Sequence, residues 1–216
     1  FFPVLGVSKK KIMGGAVVSL DPKDMLTVPG APRQTLPVGG AGVGEHGFFE
    51  ASSMRKIGDK YYFVYSSVLG HELCYATGDT PEGPFRFGGT LVSNGDVGLA
   101  EQFRDPRTAS NYTGNTHGGI LTVGDKYYVF YHRHTNRNCF SRQACAEEIF
   151  VQEDGSIAQA EITSCGLNGG PLQGRGEYEA RIACNLTSRK GGRFHKKPLR
   201  QSTTTPPILK RIGRTI

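Results

Sequence analysis

The carboxyl side chain best suited to acid–base chemistry is Glu50, in the segment Gly-Phe-Phe-Glu-Ala-Ser-Ser. Its neighbours are mostly apolar, and the segment leads directly into a predicted strand. Burial disfavours the charged form of a carboxyl group, so we expect a raised pKa for Glu50. A raised pKa suits a general acid, a group that donates a proton to a leaving oxygen. A structural role remains open, in which Glu50 caps a turn or pairs with Arg55.

Three histidines could bind a metal ion or a polar substrate. His117 stands in the segment Gly-Asn-Thr-His-Gly, and His132 and His134 lie two residues apart in a predicted strand. Side chains two apart in a strand project from the same face. The three imidazoles could therefore form a transition-metal site if the fold brings them together. The alternative is an ordinary strand, in which such histidine pairs also occur.

A repeated segment indicates how these residues are positioned. The run Ile57-Gly-Asp-Lys-Tyr-Tyr-Phe-Val-Tyr65 recurs 66 residues later as Val123-Gly-Asp-Lys-Tyr-Tyr-Val-Phe-Tyr131. Gly-Asp-Lys is typical of a turn, and the aromatic and β-branched residues after it are typical of a buried strand. Strand-containing repeats of this length indicate propeller blades, because one four-stranded sheet cannot bury both its faces without neighbours.

Each copy of the repeat belongs to one predicted blade. Before them, only Met13 to Leu20 is predicted as a strand ahead of the Pro- and Gly-rich stretch 28–47. The sequence therefore predicts an all-β chain of about two and a half blades, too few to close a ring. The segments predicted to complete the two blades are Glu72 to Thr77, the turn Thr80 to Pro84, Phe85 to Leu91, Glu147 to Val151 and Ile157 to Ile162.

Composition narrows the function classes. The chain has 216 residues, five cysteines without a CxxC pair, and no apolar run long enough for a membrane span. We therefore expect free thiols, no membrane association and no nucleic-acid partner. The sequence leaves the localisation unknown. The net charge of +7 equals the charge of a C-terminal tail that contains no acidic residue. Its basic residues are Arg193, Lys196, Lys197, Arg200, Lys210, Arg211 and Arg214.

The tail marks the predicted domain boundary. We expect residues 1–194 to form the partial propeller and residues 195–216 to be a disordered or aberrant basic tail, since no hydrophobic periodicity continues there. A basic arm that binds nucleic acid or another anionic surface is the alternative for this tail.

The motifs resemble glycoside hydrolase family 43. The resemblance lies in Phe-Phe-Glu-Ala-Ser-Ser at 48–53, the strand at 60–67, Gly-Asn-Thr-His-Gly at 114–118 and Tyr-Val-Phe-Tyr-His at 128–132. It implies a five-bladed β-propeller whose intact form hydrolyses arabinofuranosyl or xylosyl linkages of plant polysaccharides with inversion. It also implies Glu50 as the general acid and His117 and Arg142 as sugar-binding residues, and Phe49 is a further substrate-binding candidate. No cofactor is required, although Ca²⁺ bound to His117 through water is a further implication.

The sequence also departs from the family pattern. The general base and the aspartate that tunes the acid stand in earlier blades of the family, and neither has a counterpart here. Asp21 and Asp24 lie in a turn-like segment and are not assigned to either role. We therefore expect this chain to be inactive alone. The alternative function is a non-catalytic propeller fragment that binds carbohydrate through its aromatic side chains and Arg142.

Overall fold

The fold of the chain is built from three antiparallel sheets. The computed structural model describes residues 2–8, 11–40, 42–99, 105–109, 111–135, 137–163, 165–171 and 173–178. Within these residues the regular elements are strands, with one short 3₁₀ turn at Asn94–Asp96. The strands are β1 (Phe2–Ser8), β2 (Lys11–Val18), β3 (Arg33–Leu36), β4 (Phe48–Ile57), β5 (Lys60–Ser67), β6 (Glu72–Gly78), β7 (Arg86–Ser93), β8 (Gly118–Val123), β9 (Lys126–His134) and β10 (Arg142–Ile149).

The sheets follow one another along the chain. The first contains β1, β2 and β3, the second β4 to β7, and the third β8, β9 and β10, each in chain order across the sheet. This is the meander arrangement of propeller blades, one with four strands and two with three. The all-β prediction of about two and a half blades is confirmed.

The repeat forms the same hairpin in two sheets. In the second sheet Ile57 pairs with Lys60 across the turn, and in the third sheet Val123 pairs with Lys126. The glycine of each turn has a positive φ, 56° at Gly58 and 64° at Gly124. Such φ values cost a residue without a Cβ little, which explains why both copies place glycine there. The repeat thus fixes the strand register of both blades.

Two apolar cores lie on either side of the second sheet. One core joins β3 and the segment before β4 to the second sheet through Leu36, Val43 and Phe63. The other joins the second sheet to the third through Tyr75, Ile120 and Val129. Successive side chains of a strand point to opposite faces, so the continuous apolar run of β5 supplies both cores. The second sheet is therefore covered on both faces, as expected of an inner blade.

Three details differ from the sequence prediction. Strands β1 and β3 were not predicted, because β3 lies inside the Pro- and Gly-rich stretch and β1 contains a proline. The predicted strand from Ile157 to Ile162 is wrong beyond its first residue, which forms a single bridge with Val151. The following residues cross to the second sheet instead, where the Ala160 amide donates to the Leu91 carbonyl.

Several sequence predictions concern other features of the chain. Cys74, Cys139, Cys145 and Cys165 are free thiols, as predicted. Cys184, the proposed boundary at 194 and the basic tail lie outside the described residues. No helix in the described ranges is long and apolar enough to cross a membrane.

Candidate active site

Glu50 lies near the start of β4, where the pairing of β4 with β5 is irregular. The register shifts on both sides of Glu50, and the next residue, Ala51, has a φ of 64°. A positive φ is rare for a residue with a Cβ, and such strain often accompanies functional side chains. The carboxylate projects towards the third sheet, where its Oε1 lies 2.8 Å from His117 Nε2 and accepts a hydrogen bond from Asn115 Nδ2 at 3.3 Å.

The pKa of Glu50 differs from the sequence prediction. Partial burial, which leaves 27% of the side chain exposed, acts to raise the pKa. The hydrogen bonds from His117 and Asn115 and the positive charge of Arg142 outweigh burial, and the net pKa is lowered. The prediction of a raised pKa was therefore wrong for the described residues. The alternative pairing with Arg55 is also absent, since that guanidinium donates to the carbonyls of Ile120 and Met54.

The segment that carries Asn115 and His117 is fixed by three neighbouring strands or turns. The buried Asn94 side chain, which follows β7, donates to the Gly114 carbonyl at 2.9 Å. Ser66 on β5 donates to the Thr116 carbonyl, and the Thr116 hydroxyl donates to the His132 carbonyl at 2.9 Å. These bonds satisfy the polar backbone of a buried loop and hold it in one conformation. The two groups that contact Glu50 are therefore preorganised.

Gly114 gives a direct test of this loop. A Cβ at Gly114 would overlap the imidazole ring of His134, whereas a Cβ at Gly30 has no atom within 4 Å. We expect Gly114→Ala to lower the free energy of unfolding by about 1–3 kcal/mol, a usual cost of overpacking. We expect Gly30→Ala to be within about 0.5 kcal/mol of the parent protein. Denaturant unfolding measures both, and equal stabilities would contradict the tight packing of the loop.

The three histidines meet, but their ring nitrogens do not form a ligand set. The rings of His117 and His132 are 5.5 Å apart edge to face, and those of His132 and His134 are stacked at 5.5 Å. Burial, followed by the charge of Arg142, lowers the pKa of His132 to about 4, so its imidazole is neutral near pH 7. Within the described residues, some His, Cys and carboxylate ligand atoms do lie close enough together to share one metal ion. They belong to other side chains and not to these three histidines. The three-histidine metal hypothesis is not supported.

Calcium fits the described residues poorly. Ca²⁺ takes six to eight oxygen ligands. His117 Nε2 is occupied by Glu50, and the next imidazole, His132, offers nitrogen. We assign no step to calcium. The water-mediated contact of His117 with Ca²⁺ stays a prediction.

Arg142 and Phe49 are the remaining predicted substrate-binding residues. Arg142 is the first residue of β10, pairs in register with His134, and is exposed. Residues directly opposite each other in an antiparallel pair share a face, so Arg142 lies on the His134 face of the third sheet. Its charge acts on both Glu50 and His132. Phe49 is half-buried on β4 beside Glu50. The structure places Glu50 and His117 in contact, while the grouping of Arg142 with them and the substrate-binding roles stay predictions.

The aspartates of the first sheet have structural roles. Asp24 accepts hydrogen bonds from the amides of Leu26 and Thr27 and from the Thr27 hydroxyl, and these bonds lower the pKa of Asp24 to about 2. Asp21 accepts from the amide of Lys23. Both carboxylates therefore hold a turn, in agreement with leaving them out of the catalytic assignment.

Sequence reasoning missed the second donor to Glu50 and its support. The sequence motifs assign no role to Asn115, which belongs to the histidine motif, or to Asn94. The position of Asn115 two residues before His117 could have indicated a shared face. Nothing in the sequence indicates Asn94, because its partners lie about 20 residues away and meet it only in the tertiary fold.

Curated relatives that this chain matches are named xylosidase/arabinosidase. A xylosidase/arabinosidase of Thermoclostridium stercorarium is 50% identical over 176 residues, covering 80% of this chain and 37% of the relative. A xylosidase/arabinosidase of Bacteroides ovatus is 40% identical over 92 residues, covering 43% of this chain and 23% of the relative. The chain thus spans well under half the length of these relatives. No protein-family model matches it.

Solved structures agree with this result. A family 43 β-xylosidase/α-arabinofuranosidase from a compost microbial metagenome, solved with xylotriose in a calcium-free form, superposes with a TM-score of 0.54. It is 25% identical, and the match covers 69% of this chain and 42% of that one. The RS223 β-xylosidase superposes with a TM-score of 0.53 at 29% identity, covering 73% of this chain and 46% of that one. The chain is a partial glycoside hydrolase family 43 propeller.

Proposed function

We propose that the protein containing this chain is an inverting glycosidase that removes arabinofuranosyl or xylosyl units from plant cell-wall oligosaccharides or polysaccharides. The names of the relatives support this substrate class. The observation that carries the proposal is the Glu50 carboxylate, held by His117 and Asn115 of the neighbouring sheet. A proton donor must be held in a fixed position beside the leaving oxygen, and this arrangement provides that.

In the proposed mechanism Glu50 protonates the glycosidic oxygen as the bond to the sugar breaks. A second carboxylate, from an earlier blade, activates water on the opposite face of the ring. In inverting enzymes the two carboxyl groups lie roughly 6.5–9.5 Å apart, which leaves room for that water. His117 and Arg142 orient the sugar, and Arg142 can do so because its exposed guanidinium carries five hydrogen-bond donors.

The lowered pKa of Glu50 indicates that a further group must raise it before Glu50 can act as the general acid. A general acid must hold its proton near the operating pH, and the described neighbours of Glu50 stabilise the carboxylate instead. A second negative charge beside Glu50 would raise the pKa, because like charges disfavour ionisation. The family resemblance assigns that charge to an aspartate in an earlier blade. Assembly of those blades therefore completes the acid as well as adding the base.

The experiment uses the longest reading frame that contains this chain. We expect the purified protein to hydrolyse aryl α-L-arabinofuranoside or aryl β-D-xyloside, and we expect proton NMR to show a first-formed product of inverted anomeric configuration. Retention of configuration would contradict the inverting mechanism. Binding of xylo-oligosaccharide without turnover would instead favour the alternative, a non-catalytic carbohydrate-binding propeller.

A further inference from the structure

A second polar cluster lies in the second sheet and shares no hydrogen bond with Glu50 among the described residues. It consists of His46, in the segment before β4, and Glu72 and Cys74, two residues apart on β6. Their two-residue spacing places Glu72 and Cys74 on the same face of the strand. One ligand atom from each of the three side chains lies within 4.8 Å of the other two. We call this group the His46–Glu72–Cys74 cluster.

The cluster contains a buried negative charge. Glu72 is 3% exposed, and its Oε1 lies 2.6 Å from His46 Nδ1. Burial acts to raise the pKa of Glu72, but hydrogen bonds from the Ser67 hydroxyl and from His46 outweigh it and lower the pKa. Within the described ranges, the basic side chain in contact with Glu72 is a histidine rather than a lysine or arginine. A buried carboxylate without a permanent cation favours binding of one.

The surroundings of the cluster resemble the outer partners of a metal site. The Thr90 hydroxyl donates to Glu72 Oε2 at 3.0 Å, and the Ser67 hydroxyl donates to Oε1 at 2.6 Å. The His46 ring is stacked on Phe87 with centroids 4.5 Å apart and planes at 6°. Metal ligands are commonly oriented by such neighbours, which restrict rotation of the ligating groups. The cluster is therefore oriented as well as compact.

We propose that His46, Glu72 and Cys74 bind one zinc ion. Nitrogen, oxygen and sulfur are the donors that Zn²⁺ takes from proteins, in a tetrahedral arrangement that leaves the fourth position here to water. Binding breaks the Cys74 S–H bond and the His46–Glu72 hydrogen bond. The thiol proton leaves to solvent, the imidazole keeps its proton on the ring nitrogen that does not bind zinc, and the Glu72 carboxylate coordinates directly. The two negative ligands balance the charge of Zn²⁺. Coordination replaces the 2.6 Å contact between His46 and Glu72, and the ligand atoms, which lie within 4.8 Å of one another, rearrange around the ion.

Two features of the fold are consistent with zinc entry and retention. The His46 side chain is partly exposed and provides a route from solvent, whereas Cys74 is completely buried.

The first experiment measures the ligands in the unmutated protein. The longest reading frame that contains this chain is purified with a chelator and a thiol reductant, then given one equivalent of Zn²⁺. We expect zinc X-ray absorption to show one sulfur neighbour at about 2.3 Å and nitrogen or oxygen neighbours at about 2.0–2.2 Å. Absence of sulfur from the zinc shell, or two or more sulfur atoms in it, would overturn the proposal.

The second experiment identifies the cysteine with Co²⁺ as a spectroscopic probe. We expect the unmutated protein to give a thiolate-to-cobalt charge-transfer band, Cys74→Ser to lose it, and Cys139→Ser, a change at an exposed thiol, to keep it. His46→Gln should weaken Zn²⁺ binding by at least about 100-fold, beyond the loss usual for an outer partner. Loss of the band in Cys139→Ser, or its retention in Cys74→Ser, would show that another thiol binds the metal.

Discussion

Replacing Glu50 by Gln in the longest reading frame that contains this chain is expected to lower kcat by about 10²–10⁴-fold, the usual contribution of a general acid. The amide keeps the size of the side chain but cannot donate the proton that the leaving oxygen needs. We expect the loss to be smaller for a nitrophenyl glycoside than for xylobiose, because a good leaving group depends less on protonation. Steady-state kinetics on both substrates measures the effect.

A matched control distinguishes chemistry from charge. Glu148→Gln changes another partly exposed glutamate, whose partner is Lys126 on the neighbouring strand. We expect kcat to stay within about twofold of the parent value, because the described contacts of Glu50 are with His117 and Asn115 rather than with this pair. Equal losses in Glu50→Gln and Glu148→Gln would refute the assignment of the acid.

The 216-residue chain by itself provides a second comparison. Within the described residues, the carboxylate that contacts His117 is Glu50, and no second carboxylate contacts this histidine. A chain without the base cannot activate water in an inverting mechanism, so we expect no turnover above background. Turnover by the isolated chain that is abolished by Glu50→Gln would show that the base lies within it.

The second large effect concerns stability. Residues 1–194 alone are expected to aggregate or to bind a partner, because the edge strand β8 of the third sheet exposes apolar side chains on one face. Leu121 and Val123 project from β8 on the face opposite to the buried Ile120, and Leu121 is 50% exposed. A missing blade contact of about 600 Å² would forfeit on the order of 15 kcal/mol at about 25 cal/mol per Å². That is comparable to the whole net stability of a domain.

Size-exclusion chromatography and thermal melting of residues 1–194 test this expectation. We expect oligomers or aggregates and a broad transition. Leu121→Lys combined with Val123→Thr should increase the monomer fraction, because both changes reduce the exposed apolar area. A soluble monomer with a sharp cooperative transition in the unmutated fragment would show that the partial propeller is self-sufficient.

Local sequence determined the repeated hairpins and the order of the blades. Glycine at 58 and 124 supplies the positive φ of each turn, and the aromatic strands that follow bury themselves wherever a second sheet covers them. These features depend on residues a few positions apart, and they can therefore be predicted from the sequence. The strand predicted after Ile157 failed because its backbone pairs with β7 of the preceding sheet. Which strand this segment pairs with depends on which sheet edge lies nearer to it in the folded chain.

The sequence predicted only part of the candidate site. The family motifs indicated Glu50 and His117 as site residues, but only the tertiary structure placed Asn115 against the same carboxylate oxygen and Asn94 behind the loop. It also reversed the expected pKa shift, because apolar neighbours in sequence predict burial but not hydrogen-bond donors from another sheet. The sequence thus determined which residue types are available for chemistry. Packing between the sheets decided which of these side chains lie close enough to form hydrogen bonds and to shift one another's pKa. Charged groups interact strongly only at the short distances that the fold creates.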